Sequence, residues 1–558
     1  MTIENVRLIL VVVLSFMAML LWDAWQRDYG KVPTPIAEVA PTLPSVRATD
    51  SPPLPAVAAA PVAPPVAPTA PPTALASPPS QQPILVETDV FSLEINPAGG
   101  TFQKLKLRKF PESVADKKRL FALLDQSATR DFIAQSGLKS AGESADHYAK
   151  FQVESHSYTL SQDAQNLEVP LSWESSTGVR VTKILGFKRG SYEVTERFEV
   201  ENTSSAPWKF HHYQQLQQVV VPIGHQLVPT FTGVALSSPV SRYEKFDYEN
   251  LAEEPLDRTA AGGWLAMVEH YFVVALLPAA ATQQHYYSFV IGADRYVLGY
   301  YGPETELAPN ASVSIDSRLY LGPKLQEVLP SVAPGLELTV DYGVLWFIAK
   351  GLFWTLNELN LLFGNWGWSI VVLTLLIKLA FYPLSAAGYR SMARMRVVQP
   401  RLMQLRERYA DDKARMNQGM MELYKQEKIN PLGGCLPILV QIPVFISLYW
   451  MILESVELRQ APFIFWIHDL SIKDPFYVLP VLMLISMWMQ TRMNPTPPDP
   501  IQAKVMQIMP LAFGVFFAFF PAGLVLYWFV NNVLSISQQY YVTCQIEAAA
   551  AAAKPSRP

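Results

Sequence analysis

Cysteine is almost absent from this chain: 558 residues hold two, Cys435 and Cys544, both inside apolar stretches. That excludes a disulfide-held scaffold. Charge is scarce too. Only 16% of residues are Asp, Glu, Lys or Arg, against about 25% in ordinary globular proteins. The net charge of −4 points to no specific nucleic-acid partner. There is no glycine-rich phosphate loop, no His-Glu-x-x-His and no Gly-x-Ser-x-Gly. The eight histidines are scattered, and His211-His212 has no third ligand nearby. No metal, no cofactor, no nucleotide fuel and no covalent chemistry is implied.

What fills the chain instead is apolar, at 50% of residues. Residues 1–30 read as a transmembrane anchor. Leu8 to Trp22 is free of charge, Arg7 can snorkel, and Leu20, Leu21 and Trp22 stand where a signal-peptide cleavage site needs small residues. Residues 31–83 hold 16 of the 46 prolines, interleaved with alanine and valine. Such a run cannot build a core and forms an extended, semi-rigid tether. Residues 84–340 change to short alternating segments such as Tyr192 to Val200, broken by Gly, Pro, Asn and Asp. That pattern predicts a large β-sandwich.

Residues 341–358 are amphipathic. Val344, Leu345, Ile348, Leu352, Phe353 and Leu356 recur near helical spacing, and Trp346 and Trp354 suit a membrane interface. Residues 359–546 then carry four charge-free runs: Leu359–Ile377, Ile429–Leu453, Pro475–Thr491 and Val505–Ile546. The last, at 42 residues, is too long for one span, and Pro521-Ala522-Gly523 divides it. Five spans result, six with the anchor: a multi-pass α-helical membrane protein with an all-β domain. The segment 385–430 holds ten Lys and Arg, whereas Glu454–Asp474 holds two against four acids. The positive-inside rule puts the first in the cytoplasm and the second outside. Both termini, including the tail 547–558, are then cytoplasmic. The β-domain lies in a periplasm, as in a bacterial inner-membrane protein.

The spans are unusually polar. Lys378 stands at the inner end of the first run, one helical turn after Thr374. An ionisable residue in a span is costly and therefore a functional candidate. Gln441 lies about 15 Å along the next span, near mid-membrane. Asn531, Ser535 and Gln538 share one stripe of the last. Such groups face a bundle interior or a wet cavity, because lipid would leave them unsatisfied. In 385–430, Met392, Met395, Met403, Met416, Met420 and Met421 alternate with Arg394, Arg396, Arg406, Arg408 and other cations. Asp411-Asp412 marks the turn of a basic, methionine-rich helical hairpin, a surface that adapts to varied apolar partners.

On these residues alone, three classes stay open: a protein-inserting device, a secondary transporter, and a membrane-anchored periplasmic binder of saccharide or another partner. The motifs narrow them. Asn430-Pro431-Leu432-Gly433-Gly434-Cys435-Leu436-Pro437, followed by Gln441-Ile442-Pro443, resembles the YidC-type membrane protein insertases. So do Gly364-Asn365-Trp366-Gly367, Tyr382-Pro383-Leu384, Ser455 to Pro462, and Pro521 to Trp528. The resemblance is dense over about 340–545; the anchor, tether and β-domain resemble the Gram-negative members. It implies a hydrophilic groove, open to cytoplasm and lipid, lined by Lys378, Thr374, Gln441, Asn531, Ser535, Tyr527 and Trp528. It implies nascent membrane proteins, the Sec translocon, the ribosome and the bilayer as partners. The family's groove cation is usually arginine; Lys378 keeps the charge without the bidentate fork. Many relatives have paired tyrosines where Tyr527-Trp528 stands. The tail after Ile546 lacks the long basic ribosome-binding extension of mitochondrial relatives.

Overall fold

The computed structural model describes residues 82–552 and Pro52, apart from 128–129, 221–229, 280–281, 293, 410–411, 428–435 and 495–499. The expected anchor and nearly all of the tether lie outside the described residues. Two compact units divide between Val340 and Asp341.

The first unit is two sheets, of eleven and nine strands, and the larger contains one parallel pair, Ile84–Glu87 with Ser157–Thr159. Alternation in sequence becomes alternation in burial: Glu193–Asn202 exposes every second residue from Thr195 to Glu201 and buries the residues between. This strand is central in the smaller sheet, paired with Val179–Lys188 and Ser312–Pro323. In the larger sheet, Trp208–Val219 pairs with Arg130–Ser140 in a register that sets His212 against Leu138. Phe198, Leu185, Leu216 and Tyr300 are among the fully buried side chains. Complete burial of a side chain such as Phe198 contributes roughly 1.5–3 kcal/mol.

A polar pin runs through this core. Lys183 and Glu196, both fully buried, form an ion pair at 3.1 Å. Lys183 Nζ also donates to Ser136 Oγ at 2.7 Å and to the Gly99 carbonyl at 3.0 Å. Glu196 accepts from Ser136 and from Gln214 Nε2, the latter at 2.7 Å. Tyr300 Oη donates to Gln214 Oε1 at 2.9 Å. Lys183 and Glu196 belong to the smaller sheet, and Ser136, Gln214 and Tyr300 to the larger. The network therefore bolts one sheet to the other. Burial pushes the Lys183 ammonium below its ordinary pKa, against the pull of Glu196. Burial alone would raise Glu196, but Lys183, His212 and the two hydrogen bonds hold it below the usual carboxylate range.

Helices α1 (Tyr248–Glu253) and α2 (Leu329–Val332) are short pieces of this unit. The second unit holds α3 (Trp346–Phe363), α4 (Trp366–Ala380), α5 (Tyr382–Arg408), α6 (Lys413–Gln426), α7 (Leu436–Glu454), α8 (Val478–Met493), α9 (Pro500–Phe517) and α10 (Ala522–Ala552). The expected continuous run Leu359–Ile377 is broken. Gly364 ends α3 in the left-handed region at φ 63°, which glycine adopts without a Cβ penalty. Asn365 then caps α4, its side chain accepting from Trp368 N. Gly367 is where Phe463 packs: a Cβ there would lie 2.1 Å from the Phe463 ring.

Among the described residues no single helix is long and apolar enough to cross a membrane. One bent pair, Trp366–Ala380 with Tyr382–Leu405, passes by length and composition with a 68° bend. The interruptions are physical. Lys378 closes α4, and Pro443 and Pro510 sit inside α7 and α9, each removing a backbone donor.

Candidate functional site

The polar groups of three helices meet. Lys378, in the last turn of α4, is half-buried, and its Nζ donates to Ser535 Oγ of α10 at 2.7 Å. Ser535 Oγ donates onward to the Asn531 carbonyl one turn earlier, also at 2.7 Å. Gln441 Nε2 of α7 donates to the Asn531 side-chain oxygen at 2.5 Å. Helical spacing explains the meeting: Asn531 and Ser535 lie on one face of α10, one turn apart. The hydroxyl of Ser535 thus accepts a charged donor while its own proton satisfies the backbone.

The remaining expected residues divide. Tyr527 is fully buried, with its ring 6.5 Å from that of Phe445. Trp528 packs edge-on against Phe445 at 4.3 Å and against Phe517 at 5.2 Å. Thr374 is buried on the Lys378 face, but its hydroxyl donates to its own helix at Ile370 O, 2.6 Å away. That bond spends the donor locally, so Thr374 is not joined to Lys378. Gln538 donates to the Tyr382 carbonyl at the start of α5, at 3.3 Å.

In the hairpin, α5 and α6 pack closely at Gly419, where a Cβ would meet Leu405 at 3.1 Å. The buried positions of α5 include Ala393, Val398 and Leu402 rather than methionines. Met403 and Met421 are exposed; Met392, Met395, Met416 and Met420 are half-buried. Arg394, Arg396 and Arg408 are exposed, and Arg401 pairs with Glu427 at 2.6 Å. The side chain of Arg406 and the turn residue Asp411 lie outside the described residues.

Two family models match. One, described as the YidC periplasmic domain, covers residues 83–355, and one described as the 60Kd inner membrane protein covers 358–549. The membrane protein insertase YidC of Nitrosococcus oceani is 46% identical over 98% of this chain and 99% of its own length. That of Thioalkalivibrio sulfidiphilus is 46% identical over 98% and 99%.

The chain belongs to the YidC family of membrane protein insertases.

An active YidC insertase crystal structure, with its first transmembrane domain resolved, is 19% identical over 83% of this chain and 93% of its own. The TM-score between the two is 0.38. As a YidC-family member, the chain is an inner-membrane insertase that acts on membrane proteins, not an enzyme, and its β-sandwich is a periplasmic domain.

Sequence reasoning did not find the second polar line of this YidC-family bundle. Asn532 Nδ2 of α10 donates to Ser486 Oγ of α8 at 3.3 Å, and Gln539 Nε2 donates to Asn494 Oδ1 at 3.0 Å. The signal was present: Asn532 and Gln539 are seven apart, two helical turns, on a face adjacent to Asn531 and Ser535. Together the two lines fix the rotation of α10 between α4 and α7 on one side and α8 on the other.

Proposed function

We propose that the chain inserts nascent membrane proteins through a hydrophilic groove built around Lys378, Ser535, Asn531 and Gln441. The observation that supports this best is the pair of inter-helix bonds, Lys378 to Ser535 and Gln441 to Asn531. Polar groups at this depth are retained against a cost, and here they converge rather than scatter. The buried Tyr527 and Thr374 and the half-buried Trp528 complete its wall.

The organisation proposed with it is six spans: an anchor at 1–30, a tether at 31–83, the periplasmic domain at 84–340, an interfacial helix at 341–358 and a five-span core at 359–546. The hairpin 385–430 and the tail 547–558 are cytoplasmic. The hairpin receives the nascent segment from the ribosome through its exposed Met403 and Met421, the half-buried Met420, and the cations Arg394, Arg396, Arg406 and Arg408. Insertion proceeds alone or beside the Sec translocon.

Energetics favour a shortened crossing. A charged side chain at the bilayer centre costs about 2.5–3.5 kcal/mol on insertion scales. A wet groove through the inner half removes part of that path, and Lys378 attracts an acidic flank. The membrane potential drives negative charge outward by about 2.3 kcal/mol per 100 mV. Each central Leu, Ile or Phe of the substrate contributes roughly 0.3–0.6 kcal/mol on entering lipid, so no fuel is required.

A photoreactive residue at Gln441 or Trp528 tests the route. A stalled single-span substrate should crosslink there and far less at Leu511, which is exposed on α9. Equal labelling at all three would show that the substrate does not pass through the groove.

A further inference from the structure

The loop between α7 and α8, residues 455–477, is built as a fixed scaffold with an apolar tip. It is clamped to the start of α10: Ala522 N donates to Ile472 O at 2.7 Å and Gly523 N to Leu470 O at 2.9 Å. It is also clamped to the start of α4, where Asn365 Nδ2 donates to Pro462 O at 3.3 Å and Phe463 packs on Trp368. Despite these ties, Phe465 is 81% exposed and Phe476 is 69% exposed. Ile472 and Tyr477 are exposed beside them. Phe465 and Tyr477 sit at φ 54° and 56°, a region costly for side chains with a Cβ. A strained backbone that presents aromatics outward, rather than folding them in, needs a partner for those aromatics.

The charges say which partner. The acids of the loop are withdrawn from its surface: Asp469 and Asp474 are buried and Glu457 is half-buried. Asp474 is consumed by Trp466 Nε1 at 3.0 Å and by the backbone of Phe476 and Leu479. Asp469 accepts from Ser471. Lys473, three residues before Phe476 in the chain, stays exposed. An apolar aromatic tip flanked by a cation and stripped of surface acids matches a lipid interface with anionic headgroups.

We infer that the 455–477 loop is a lipid-inserted wedge, with Phe465 and Phe476 in the acyl boundary and Lys473 at the headgroups. Its assignment to the outer leaflet rests on the topology proposed above; its burial in lipid does not.

The test uses the full chain with Cys435→Ser and Cys544→Ser, in nanodiscs of phosphatidylethanolamine and phosphatidylglycerol. Single cysteines at Ile464, Phe465, Phe476 and the exposed Ser205 of the β-domain carry an environment-sensitive dye. Ile464→Cys keeps both phenylalanines in place. Iodide should quench the three loop sites several-fold less than Ser205→Cys, and lipid nitroxides near the glycerol should quench them most. Iodide quenching at all three loop sites equal to that at 205 overturns the wedge and leaves the face to a protein partner. Lys473→Glu should weaken the shielding in anionic discs but not in purely zwitterionic ones; the same effect in both overturns the headgroup assignment.

Discussion

Lys378 Nζ and Ser535 Oγ lie 2.7 Å apart although 157 residues separate them in sequence. The contact ties the end of α4 to the middle of α10, and Gln441 joins α7 to the same turn through Asn531. A lysine that merely snorkelled to headgroups would point away from the bundle. This one points into it, toward a hydroxyl already engaged with its own helix.

Removing that hydroxyl separates structure from function. Interhelical hydrogen bonds within membranes average about 0.6 kcal/mol and seldom exceed about 1.7. Ser535→Ala should therefore cost less than about 2 kcal/mol in a denaturant titration of the purified protein. A cycle with Lys378→Met should return a coupling of the same small size. A larger coupling would make the pair a structural bolt rather than a groove lining.

The buried pair of the β-domain behaves differently. Glu196→Leu alone leaves Lys183 charged and unpaired in the core and should destabilise the domain by about 3–5 kcal/mol. Replacing both, Lys183→Met with Glu196→Leu, should recover most of that loss. Calorimetry of the full chain in detergent reads both. A double variant as unstable as the single would show that the surrounding Ser136, Gln214 and Tyr300 network, not the lone charge, sets the cost.

His212, on the same network, adds a pH dependence. Burial drives its pKa from 6.5 down to about 4, opposed by Glu196 and assisted by Lys183. Its folded value lies below its unfolded one, so the unfolded chain binds the extra proton. Stability is then lost as pH falls from about 6.5 to about 4, by at most about 3 kcal/mol. Glu196, whose pKa is depressed, adds its loss only below its ordinary value of 4.5. The melting temperature of the β-domain should drop between pH 6.5 and 4.5, and His212→Leu should flatten that window. An unchanged slope would assign it elsewhere.

Much of this was legible in the residues. Spacing alone put Asn531 and Ser535 on one face of the last helix. It could not show that Thr374 turns its hydroxyl back on Ile370, because a buried threonine in a helix has two ways to satisfy itself. Nor did a charge-free run from Leu359 to Ile377 betray its own break. The left-handed turn at Gly364 and the cap at Asn365 are read from local chemistry, not from hydropathy. The Lys183–Glu196 pair was legible in principle: Lys183 falls in phase with Val181 and Leu185 on the inward face. What hid it is that a lysine in a strand ordinarily marks the wet side. The loop 455–477 reads as acidic and aqueous, and only its folding reveals that the acids turn inward.

Whether positive charge in this groove carries insertion is measured in liposomes holding the purified protein. A short, weakly charged two-span substrate is added without ATP, and protease protection of its translocated loop is compared for wild type, Lys378→Arg, Lys378→Ala and Lys378→Glu. Protection is expected with wild type and arginine, a clear loss with alanine, and the greatest loss with glutamate. Equal protection with wild type and Lys378→Glu would show that the groove charge does not carry insertion.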